Sequence, residues 1–243
     1  MSADPIADVH ARSGAEASHR EANRRMFERI APTYDTLNRL MSVGIDRRWR
    51  AKTIAELDGA APGPVLDLCA GTLDLTRLLS EARPLDRVVA VDFSGAMLDA
   101  GRRKAPRAET VVADAMNLPF GDGEFSAVVC GFGMRNLAST AAGAREVLRV
   151  LRPGGVFVTL ELFKPTRALT QAFHRAYAQI VLPTVGGWVS GDRGAYSYLA
   201  GSMAAFLTRD EYQRLLSDVG FGRVCGRDLT LGVASIVRAE VTR

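Results

Sequence analysis

The chain has 243 residues, of which 47% are hydrophobic, and carries a formal net charge of +4 with a pI near 9.2. This length and composition fit one large α/β domain with a single packed core. No apolar run approaches the roughly 18 residues that a membrane span needs, and the N-terminus lacks the apolar core of a signal peptide. We therefore expect a cytoplasmic protein. The scattered basic residues argue against nucleic acid as a partner but allow weak attraction to an anionic membrane.

Three cysteines, Cys69, Cys130 and Cys225, lie far apart in the sequence and form no C-x-x-C pair. Closely spaced cysteines are typical of structural metal sites, and disulfides belong to oxidising compartments. The sequence thus predicts neither a metal site nor a disulfide, and it fits a reducing cytosol.

The N-terminal part of the chain divides into two predicted segments. Residues 1–18 are small, polar and aperiodic, which is typical of a flexible tail. Residues 19–61 are expected to form a helical lid, which begins with a helix from His19 to Ile30.

Two further helices are predicted within the lid. Thr33 or Asp35 can cap a short helix that Gly44 ends, and Asp46 can cap the next helix, which runs to Leu57. The segment is rich in tyrosine, aspartate, tryptophan and arginine. Two interpretations stay open here: a lid over a ligand site, or a helical cap whose aromatic residues are plain packing.

A short apolar run opens the second predicted domain, residues 62–243. Val65 to Leu68 has the character of a strand that is buried on both faces of a parallel sheet. Gly71 and Thr72 follow as a tight turn, and leucines at helical spacing come next. Such a turn leaves backbone N–H groups free at the carboxyl edge of the sheet, where α/β folds bind nucleotide-like ligands.

Acidic residues follow the next two predicted strands. The strand Arg87 to Asp92 places Asp92 twenty-one positions after Gly71, the spacing at which a carboxylate can accept both hydroxyls of a ribose. A solvated acid at a strand end is the alternative. The third strand, residues 110–113, is followed by Asp114 and Met116, which suit the edge and the face of an adenine ring.

The remaining elements continue an alternating pattern. Gly131 and Gly133, after the fourth strand, imply a backbone that bends closely around a ligand. Residues 166–206 are an insertion of mixed apolar and aromatic character, and such insertions often shape substrate pockets. The other predicted elements are strands at 125–130, 156–160, 224–229 and 234–239, a turn at 152–155, and helices at 140–151 and 209–219, with Ser94 and Thr208 as helix caps.

This alternation of strands and helices predicts an α/β fold with a doubly wound parallel sheet. A nicotinamide enzyme would carry G-x-G-x-x-G at the first turn, but Gly71 is the only glycine within residues 65–76. An adenosine ligand without a pyrophosphate tolerates that turn. The order Asp67, Gly71, Asp92, Asp114 is better matched by S-adenosylmethionine.

Longer motifs resemble a known family. They are Asp67 to Thr76, Leu118-Pro119-Phe120, Tyr34-Asp35-x-x-Asn38-x-x-Met41-Ser42, Phe132-Gly133-Met134-Arg135-Asn136, Arg149 to Gly155, Glu161 to Pro165 and Tyr196-x-Tyr198-Leu199. The chain resembles class I methyltransferases and, within these, the ubiquinone/menaquinone-biosynthesis C-methyltransferases, over roughly residues 24–239. The resemblance implies a Rossmann-like, seven-stranded, mostly parallel sheet. It also implies methylation of a quinol ring carbon, with demethylmenaquinol as the first candidate and a prenyl tail on the ring.

The resemblance implies roles for single residues as well. The family's cofactor contacts fall on Thr72, Asp92, Asp114, Ala115 and Gly131. In addition, Gly71 forms the turn, and Asp67 is expected to order the loop and the cofactor amine.

Three positions depart from the family's pattern. Leu73 replaces the usual glycine and is expected to make the turn bulkier near the methionine moiety. Gly131 stands where a small polar residue is common, so a side-chain hydrogen bond is lost. Asp46 stands where histidine is common, which leaves the catalytic base open.

Methyl transfer to carbon needs an electron-rich ring, and a phenolic hydroxyl titrates at about 10. Arg135 cannot be the base, because a guanidinium keeps its proton, but it can hold a phenolate. The candidate bases are Asp46, Tyr34 and His174, with Asp46 first because it lies in the matched lid segment. Asn136 is expected to orient the Arg135 loop through backbone bonds.

The predicted substrate-binding residues are Asn136, His174, Tyr196 and Tyr198. A prenyl tail resides in membrane, so peripheral contact with the inner face of the membrane is expected, although no amphipathic anchor helix is evident. A homodimer stays open. Further aromatic residues that either line a tunnel for the tail or belong to the core are Phe132, Phe163, Phe173, Tyr177, Trp188 and Phe206.

Two other functions stay open. The first is methyl transfer to another small phenolic or lipid acceptor. The second is a non-catalytic cofactor-binding subunit of a quinone-biosynthetic complex, which Leu73 and Gly131 keep in play. An NAD oxidoreductase is the least favoured.

Overall fold

The computed structural model of the chain describes residues 21–166, 168, 170–171 and 201–242. The predicted tail, His174, Tyr196 and Tyr198 lie outside the described residues, as does most of the predicted insertion.

A seven-stranded sheet forms the centre of the molecule, with the strand order β3-β2-β1-β4-β5-β7-β6. The five strands from β3 to β5 pair in parallel, whereas β7 is antiparallel to both β5 and β6. This confirms the predicted doubly wound, mostly parallel α/β sheet. The strands are β1 Val65–Leu68, β2 Val88–Asp92, β3 Glu109–Val112, β4 Phe125–Gly131, β5 Leu151–Glu161, β6 Val224–Leu229 and β7 Ala234–Glu240.

The central strands are apolar because helices cover both faces of the sheet. Every residue of β1 and β2 is buried, as expected for strands inside a parallel sheet. One face packs against α3 and α4 and the other against α6 and α7. The helices are α1 (residues 21–30), α2 Tyr34–Met41, α3 Asp46–Ala55, α4 Asp74–Ala82, α5 Gly95–Gly101, α6 Thr140–Val150 and α7 Arg209–Val219.

Two of the predicted helix caps are confirmed. The Ser94 hydroxyl accepts from the Met97 N–H at 3.3 Å at the start of α5. Thr208 and Glu211 form a reciprocal capping box at the start of α7. Both caps lie next to helices whose apolar residues are buried, so local pattern and packing agree there.

The predicted caps within the lid are wrong. The Thr33 hydroxyl donates backwards to the Ile30 carbonyl at 3.3 Å, and neither it nor Asp35 caps α2. Asp46 is the first residue inside α3 rather than its cap, because its carboxylate is taken by other partners described below. Gly44 does end α2, with a φ of +74° and an N–H that donates to the Arg39 carbonyl at 3.0 Å.

The fifth strand begins earlier than predicted. Leu151 already pairs with Phe125, and the predicted turn at 152–155 lies inside β5 as an irregularity in the register. The regular pairing resumes at Ala127 and Val156. The glycines supply the bend while the strand continues on both sides of it.

Candidate functional site

A cavity of about 340 Å³ opens at the carboxyl edge of the parallel strands. Its walls come from the ends of β1, β2 and β4, the segment after β3, and the lid helices α1 and α2. This is the position at which open α/β sheets bind ligands. The predicted site residues that line it are Tyr34, Gly71, Asp92, Asp114, Ala115, Gly131 and Asn136.

The loop after β1 is curled tightly at the floor of the cavity. Cys69, Gly71 and Leu73 have φ values of +56°, +53° and +63°. The Gly71 N–H donates to Asp92 Oδ2 at 2.8 Å, which ties this loop to the end of β2. A glycine suits the middle position because a side chain there would point toward Tyr34 and Met97.

Asp92 presents a buried carboxylate to the cavity. Its Oδ1 accepts from the Ser94 N–H at 2.9 Å, and its Oδ2 accepts from Gly71. Burial raises the pKa of Asp92 to about 6, against the opposing effect of the N–H groups of Ser94, Gly71 and Phe93. The carboxylate is therefore mostly ionised at neutral pH, and each oxygen keeps a lone pair for a ligand hydroxyl.

The segment after β3 forms the opposite wall. Asp114 Oδ1 accepts from the Met116 N–H at 2.9 Å, and Asp114 also bridges to Asn117 through the backbone. Asp114, Ala115 and Met116 all line the cavity. Because the Ala113 N–H donates to the Asp92 carbonyl at 3.1 Å, this wall is fixed relative to the Asp92 carboxylate.

The two glycines at the end of β4 differ in how closely neighbouring side chains approach them. A Cβ on Gly133 would lie 2.4 Å from Cys69 Cβ and 2.8 Å from Cys130 Sγ, so only glycine fits. A Cβ on Gly131 would lie 3.4 Å from Leu75 Cδ2, which leaves room for a small side chain. Phe132, between the two glycines, takes a φ of +61°.

The lid is joined to the Gly71 loop by a polar network behind the cavity wall. The Thr72 hydroxyl donates to Asp35 Oδ1 at 2.5 Å. Lys104 Nζ lies 2.5 Å from Asp35 Oδ2 and 2.7 Å from Asp74 Oδ1. The predicted contact residue Thr72 is buried, and its hydroxyl is used in holding the lid.

Asp67 lies below the loop rather than on the cavity wall. Its Oδ2 accepts from the Thr76 hydroxyl at 2.5 Å, while its Oδ1 has no hydrogen-bond partner among the described residues. Burial raises the pKa of Asp67 to about 7. This carboxyl is bonded to the first turn of α4, and its predicted contact with the cofactor amine stays a prediction.

Arg135 is buried in a salt bridge behind the cavity wall. Its Nη1 donates to Glu161 Oε1 at 2.6 Å and to the Phe132 carbonyl at 2.7 Å, and its backbone N–H donates to Glu161 Oε2 at 3.3 Å. Glu161 is fully buried. The pair joins the loop after β4 to the end of β5, and Arg135 is not among the described residues that line the cavity.

Asp46 is held away from the cavity by two partners. Its carboxylate accepts from the Ser42 hydroxyl at 2.7 Å and from Arg50 Nε at 3.4 Å. The Arg50 guanidinium in turn lies 5.4 Å from the centre of the Phe132 ring. Of the two described base candidates, Tyr34 lies on the cavity wall and Asp46 does not.

Asn136 lines the cavity and holds the loop in the predicted manner. Its Nδ2 donates to the Phe132 carbonyl at 3.1 Å. The Asn136 carbonyl accepts from the Asn23 side chain of α1 at 3.2 Å, which brings the lid onto the same loop.

Leu73 requires a correction. The side chain is fully buried in a cluster with Ala90, Leu98 and Ala105, beneath the loop. It therefore adds no bulk at the cavity, and the cost of the leucine lies in its left-handed backbone instead.

Several cavity residues were not predicted. Phe93 follows Asp92 directly, and the Met97 N–H donates to the hydroxyl of the predicted cap Ser94. Their positions in the sequence beside these predicted features could therefore have placed both at the cavity. The contribution of α1 had no such indicator. The unpredicted lining residues include Glu21, Asn23, Arg24, Phe27, Cys69, Phe93, Met97 and Ala138.

The donor and acceptor set of the cavity fits an adenosine ligand. The ionised Asp92 suits a ribose, and Asp114 with Met116 offers a polar edge beside an apolar face. The volume falls within the roughly 300–1,000 Å³ of small-molecule sites. The backbone at Gly71 and Gly131 is open to a sulfur-containing chain, because no side chain stands there.

The chain is similar to proteins of a known family over most of its length. Residues 16–240 match the ubiE/COQ5 methyltransferase family. A demethylmenaquinone methyltransferase from Deinococcus radiodurans is 42% identical over 220 residues, which cover 89% of this chain and 91% of that protein. One from Thermus thermophilus is 44% identical over 215 residues, covering 87% and 97%. The ubiquinone/menaquinone biosynthesis C-methyltransferase UbiE of Syntrophotalea carbinolica is 41% identical over 217 residues, covering 88% and 91%.

Solved structures share the fold at low identity. A phosphoethanolamine N-methyltransferase 2 from Haemonchus contortus, in complex with phosphomonomethylethanolamine and S-adenosylhomocysteine, has a TM-score of 0.59 at 14% identity, covering 79% of this chain and 52% of that one. The [4+2]-cyclase SpnF has a TM-score of 0.65 at 16% identity, covering 90% and 95%. Because one of these is a cyclase, the fold alone does not determine the reaction.

Proposed function

The chain belongs to the ubiE/COQ5 methyltransferase family, and we propose that it transfers the methyl group of S-adenosylmethionine to a ring carbon of demethylmenaquinol. The relatives that carry the name demethylmenaquinone methyltransferase support this substrate. The observation that carries the cofactor assignment is the buried Asp92 carboxylate, which lines the cavity and accepts from the Gly71 N–H.

The cavity walls offer a partner for each part of the proposed cofactor. Asp92 would accept the ribose hydroxyls, and Asp114 would accept the adenine amino group while Met116 packs on the ring. Gly71 and Gly131 would admit the methionine moiety along the backbone. When bound, S-adenosylmethionine supplies an electrophilic methyl group on a positively charged sulfur.

The non-catalytic alternative loses one of its two supports. Leu73 points into the core, so it does not obstruct the cavity. Gly131 still lacks the polar side chain that is common in the family. The space beside it admits a small residue, so Gly131→Ser should be accommodated and should strengthen cofactor binding if that hydrogen bond matters.

The acceptor ring must lose a phenolic proton, or share it, before its carbon can attack. Tyr34 is the described base candidate whose side chain lies on the cavity wall, and it can hydrogen-bond a ring hydroxyl. Asp46 can act only through its partners Ser42 and Arg50 or after they part. The third candidate, His174, lies outside the described residues.

For Arg135 to hold a substrate phenolate, its guanidinium must turn away from its salt-bridge partner Glu161. Glu161→Gln separates the two roles of Arg135, because it removes the anionic partner and keeps the shape. If Arg135 holds the loop, turnover falls in this variant; if it holds the phenolate, turnover is retained or rises.

The decisive experiment is incubation of purified protein with S-adenosylmethionine and chemically reduced demethylmenaquinone, followed by mass spectrometry. We expect a product heavier by one methyl group, and we expect a panel of simple phenols and ubiquinone precursors to react more slowly. Cofactor binding in calorimetry without turnover on any quinol would overturn the proposal and favour the non-catalytic subunit. The single variants Tyr34→Phe and Asp46→Asn are assayed side by side. The variant that lowers turnover while cofactor affinity is unchanged identifies the base.

A further inference from the structure

The turn between α2 and α3 exposes apolar side chains at the tip of the lid. In this lid tip, residues Arg39 to Arg48, the side chain of Val43 is 83% exposed and that of Leu40 is 46% exposed. Large apolar side chains that stand in water together mark surfaces that contact something apolar.

The lid tip extends beyond the carboxyl edge of the sheet, on the side of the cavity. Trp49, early in α3, donates to the Thr230 hydroxyl at 2.8 Å, and Thr230 follows the end of β6 at that edge. Further along, the Glu56 carbonyl accepts from Arg238 Nε at 3.1 Å, in the middle of β7. Helix α3 therefore runs down from the edge, and the residues before Trp49 project past it.

The charge of the lid tip is positive on its exposed side. Arg39, Arg47 and Arg48 are exposed, and no ion pair is recorded for them with any residue that the structure describes. The acid of the tip, Asp46, is buried against Ser42 and Arg50. Three exposed guanidinium groups thus lie in the same segment as the two exposed apolar side chains.

The turn is built to hold Val43 outward. Val43 has a φ of +51°, a conformation that is costly for a β-branched residue. The strain is held by the neighbouring bonds, in which the Gly44 N–H donates to the Arg39 carbonyl at 3.0 Å and the Ser42 hydroxyl donates to Asp46 at 2.7 Å. The valine is therefore presented to solvent by a hydrogen-bonded turn.

We propose that the lid tip docks the protein on an anionic lipid bilayer, with Val43 and Leu40 entering the headgroup region and the arginines pairing with lipid phosphates. The proposal rests on the proposed function, in which the substrate carries a prenyl tail and must reach the cavity from a membrane. Two exposed apolar side chains are too few for a stable dimer, which buries about 800 Å² on each partner. Exposed apolar side chains in a segment that also carries exposed arginines match an anionic bilayer surface.

The test is flotation of the full chain with vesicles of phosphatidylcholine alone or mixed with phosphatidylglycerol. We expect binding only to the mixed vesicles, and weaker binding as salt rises. The double substitution Arg47→Ala/Arg48→Ala should lower the apparent affinity roughly twenty-five-fold, because each arginine near such a surface contributes about a fivefold factor. Val43→Ser should lower it by about tenfold through lost apolar contact.

Matched controls lie away from the lid tip. Arg103 and Arg107 are exposed in the segment between α5 and β3, and Leu85 is 98% exposed before β2, at the opposite edge of the sheet. Arg103→Ala/Arg107→Ala and Leu85→Ser remove the same charge and comparable apolar surface. Equal loss of binding in tip and control variants, or no binding of the wild type to anionic vesicles, would overturn the proposal. So would a change of oligomeric state in Val43→Ser, which would assign the tip to a second copy of the chain.

A separate readout keeps this proposal apart from the enzymatic one. Turnover of a water-soluble demethylmenaquinol analogue without the tail should be the same in the tip variants and the wild type, which also shows that the variants fold. Turnover of the prenylated substrate in mixed vesicles should fall with vesicle affinity. If no quinol is methylated while vesicle binding follows the expected pattern, the enzymatic proposal fails on its own.

Discussion

Asp92 is the residue on which the proposed recognition of the cofactor depends. Its carboxylate is buried, yet it receives N–H donors on both oxygens, and these two effects oppose each other in setting its charge. With a pKa raised to about 6, it is ionised at pH 7 and protonated at pH 5. Protonation removes acceptor capacity on the side that faces the cavity.

We predict that the affinity for S-adenosylmethionine is constant above about pH 7 and weakens below pH 6, approaching tenfold per pH unit. Asp92→Asn should bind about tenfold to a hundredfold more weakly at pH 7, which corresponds to the loss of a charged hydrogen bond, and should lose the pH dependence. Isothermal calorimetry between pH 5 and pH 8 measures both effects. The control is Asp122→Asn, since the Asp122 side chain is 81% exposed. A flat wild-type profile would contradict the assignment.

Leu73 combines a buried side chain with a left-handed backbone, and the two have opposite effects on stability. Truncation opens a cavity in its cluster, which costs about 2–5 kcal/mol. Alanine keeps the unfavourable φ of +63°, whereas glycine relieves about 1–2 kcal/mol of it.

We therefore predict that Leu73→Gly has a free energy of unfolding equal to or higher than that of Leu73→Ala, the reverse of the usual order. Leu79 is also fully buried but lies inside α4, so it is the matched control. There the glycine variant should be the less stable by about 1 kcal/mol. Urea denaturation of the four variants measures the difference. The usual order at both sites would show that the loop at Leu73 relaxes.

At the scale of elements, the lid is fastened to the Gly71 loop by Lys104. This single ammonium group, half-buried after α5, lies between Asp35 of α2 and Asp74 of α4. Asp35 also receives the Thr72 hydroxyl, so the cation neutralises the acid that holds the loop. Loss of the cation leaves two carboxylates facing each other across the joint between lid and sheet.

We predict that Lys104→Met weakens cofactor affinity severalfold to tenfold, because the wall that Tyr34 provides is no longer held against the loop. Lys104→Arg should restore most of the affinity. Arg87 is the matched control, since it also joins two acids, at 2.7 Å to Glu109 and 2.8 Å to Glu124, but before β2 at the far edge of the sheet. Cofactor affinity and thermal stability are measured for all three variants. Equal effects of Lys104→Met and Arg87→Met on affinity would refute a role in positioning.

For the whole molecule, helix α3 of the lid shares a hydrophobic cluster with the sheet. Trp49 of α3 is 7% exposed and belongs to the same cluster as Val65, Leu75 and Val158. The predicted boundary between residues 19–61 and 62–243 thus separates two groups of elements along the chain. It does not imply that the two groups unfold independently.

We predict that the lid unfolds together with the sheet. In a Trp188→Phe variant, which leaves Trp49 as the sole tryptophan, the fluorescence transition in urea should coincide with the far-UV circular dichroism transition. Binding of S-adenosylmethionine should shift both midpoints equally. A fluorescence transition at lower urea would show that the lid is a separate unit.

Local patterns determined much of this protein. The buried runs of β1, β2 and β4, the caps at Ser94 and Thr208, and the acids that follow β2 and β3 all lie where the sequence places them. Each depends on residues within a few positions of one another, so chain geometry alone fixes the relation. The longer motifs indicated the family, and the resemblance to that family implied the reaction.

Tertiary structure decided which groups each of these side chains contacts. Arg135 turns to Glu161 across the β4–β5 junction, Leu73 turns beneath its loop, and Cys69 and Cys130 meet beside Gly133 although they are far apart in sequence. Such partners are set by strand order and register. Strand β1 pairs with β4 as well as with β2. Segments that are far apart in the sequence therefore share one cavity wall. Only the folded sheet brings their side chains close enough for charge, burial and hydrogen bonding to act.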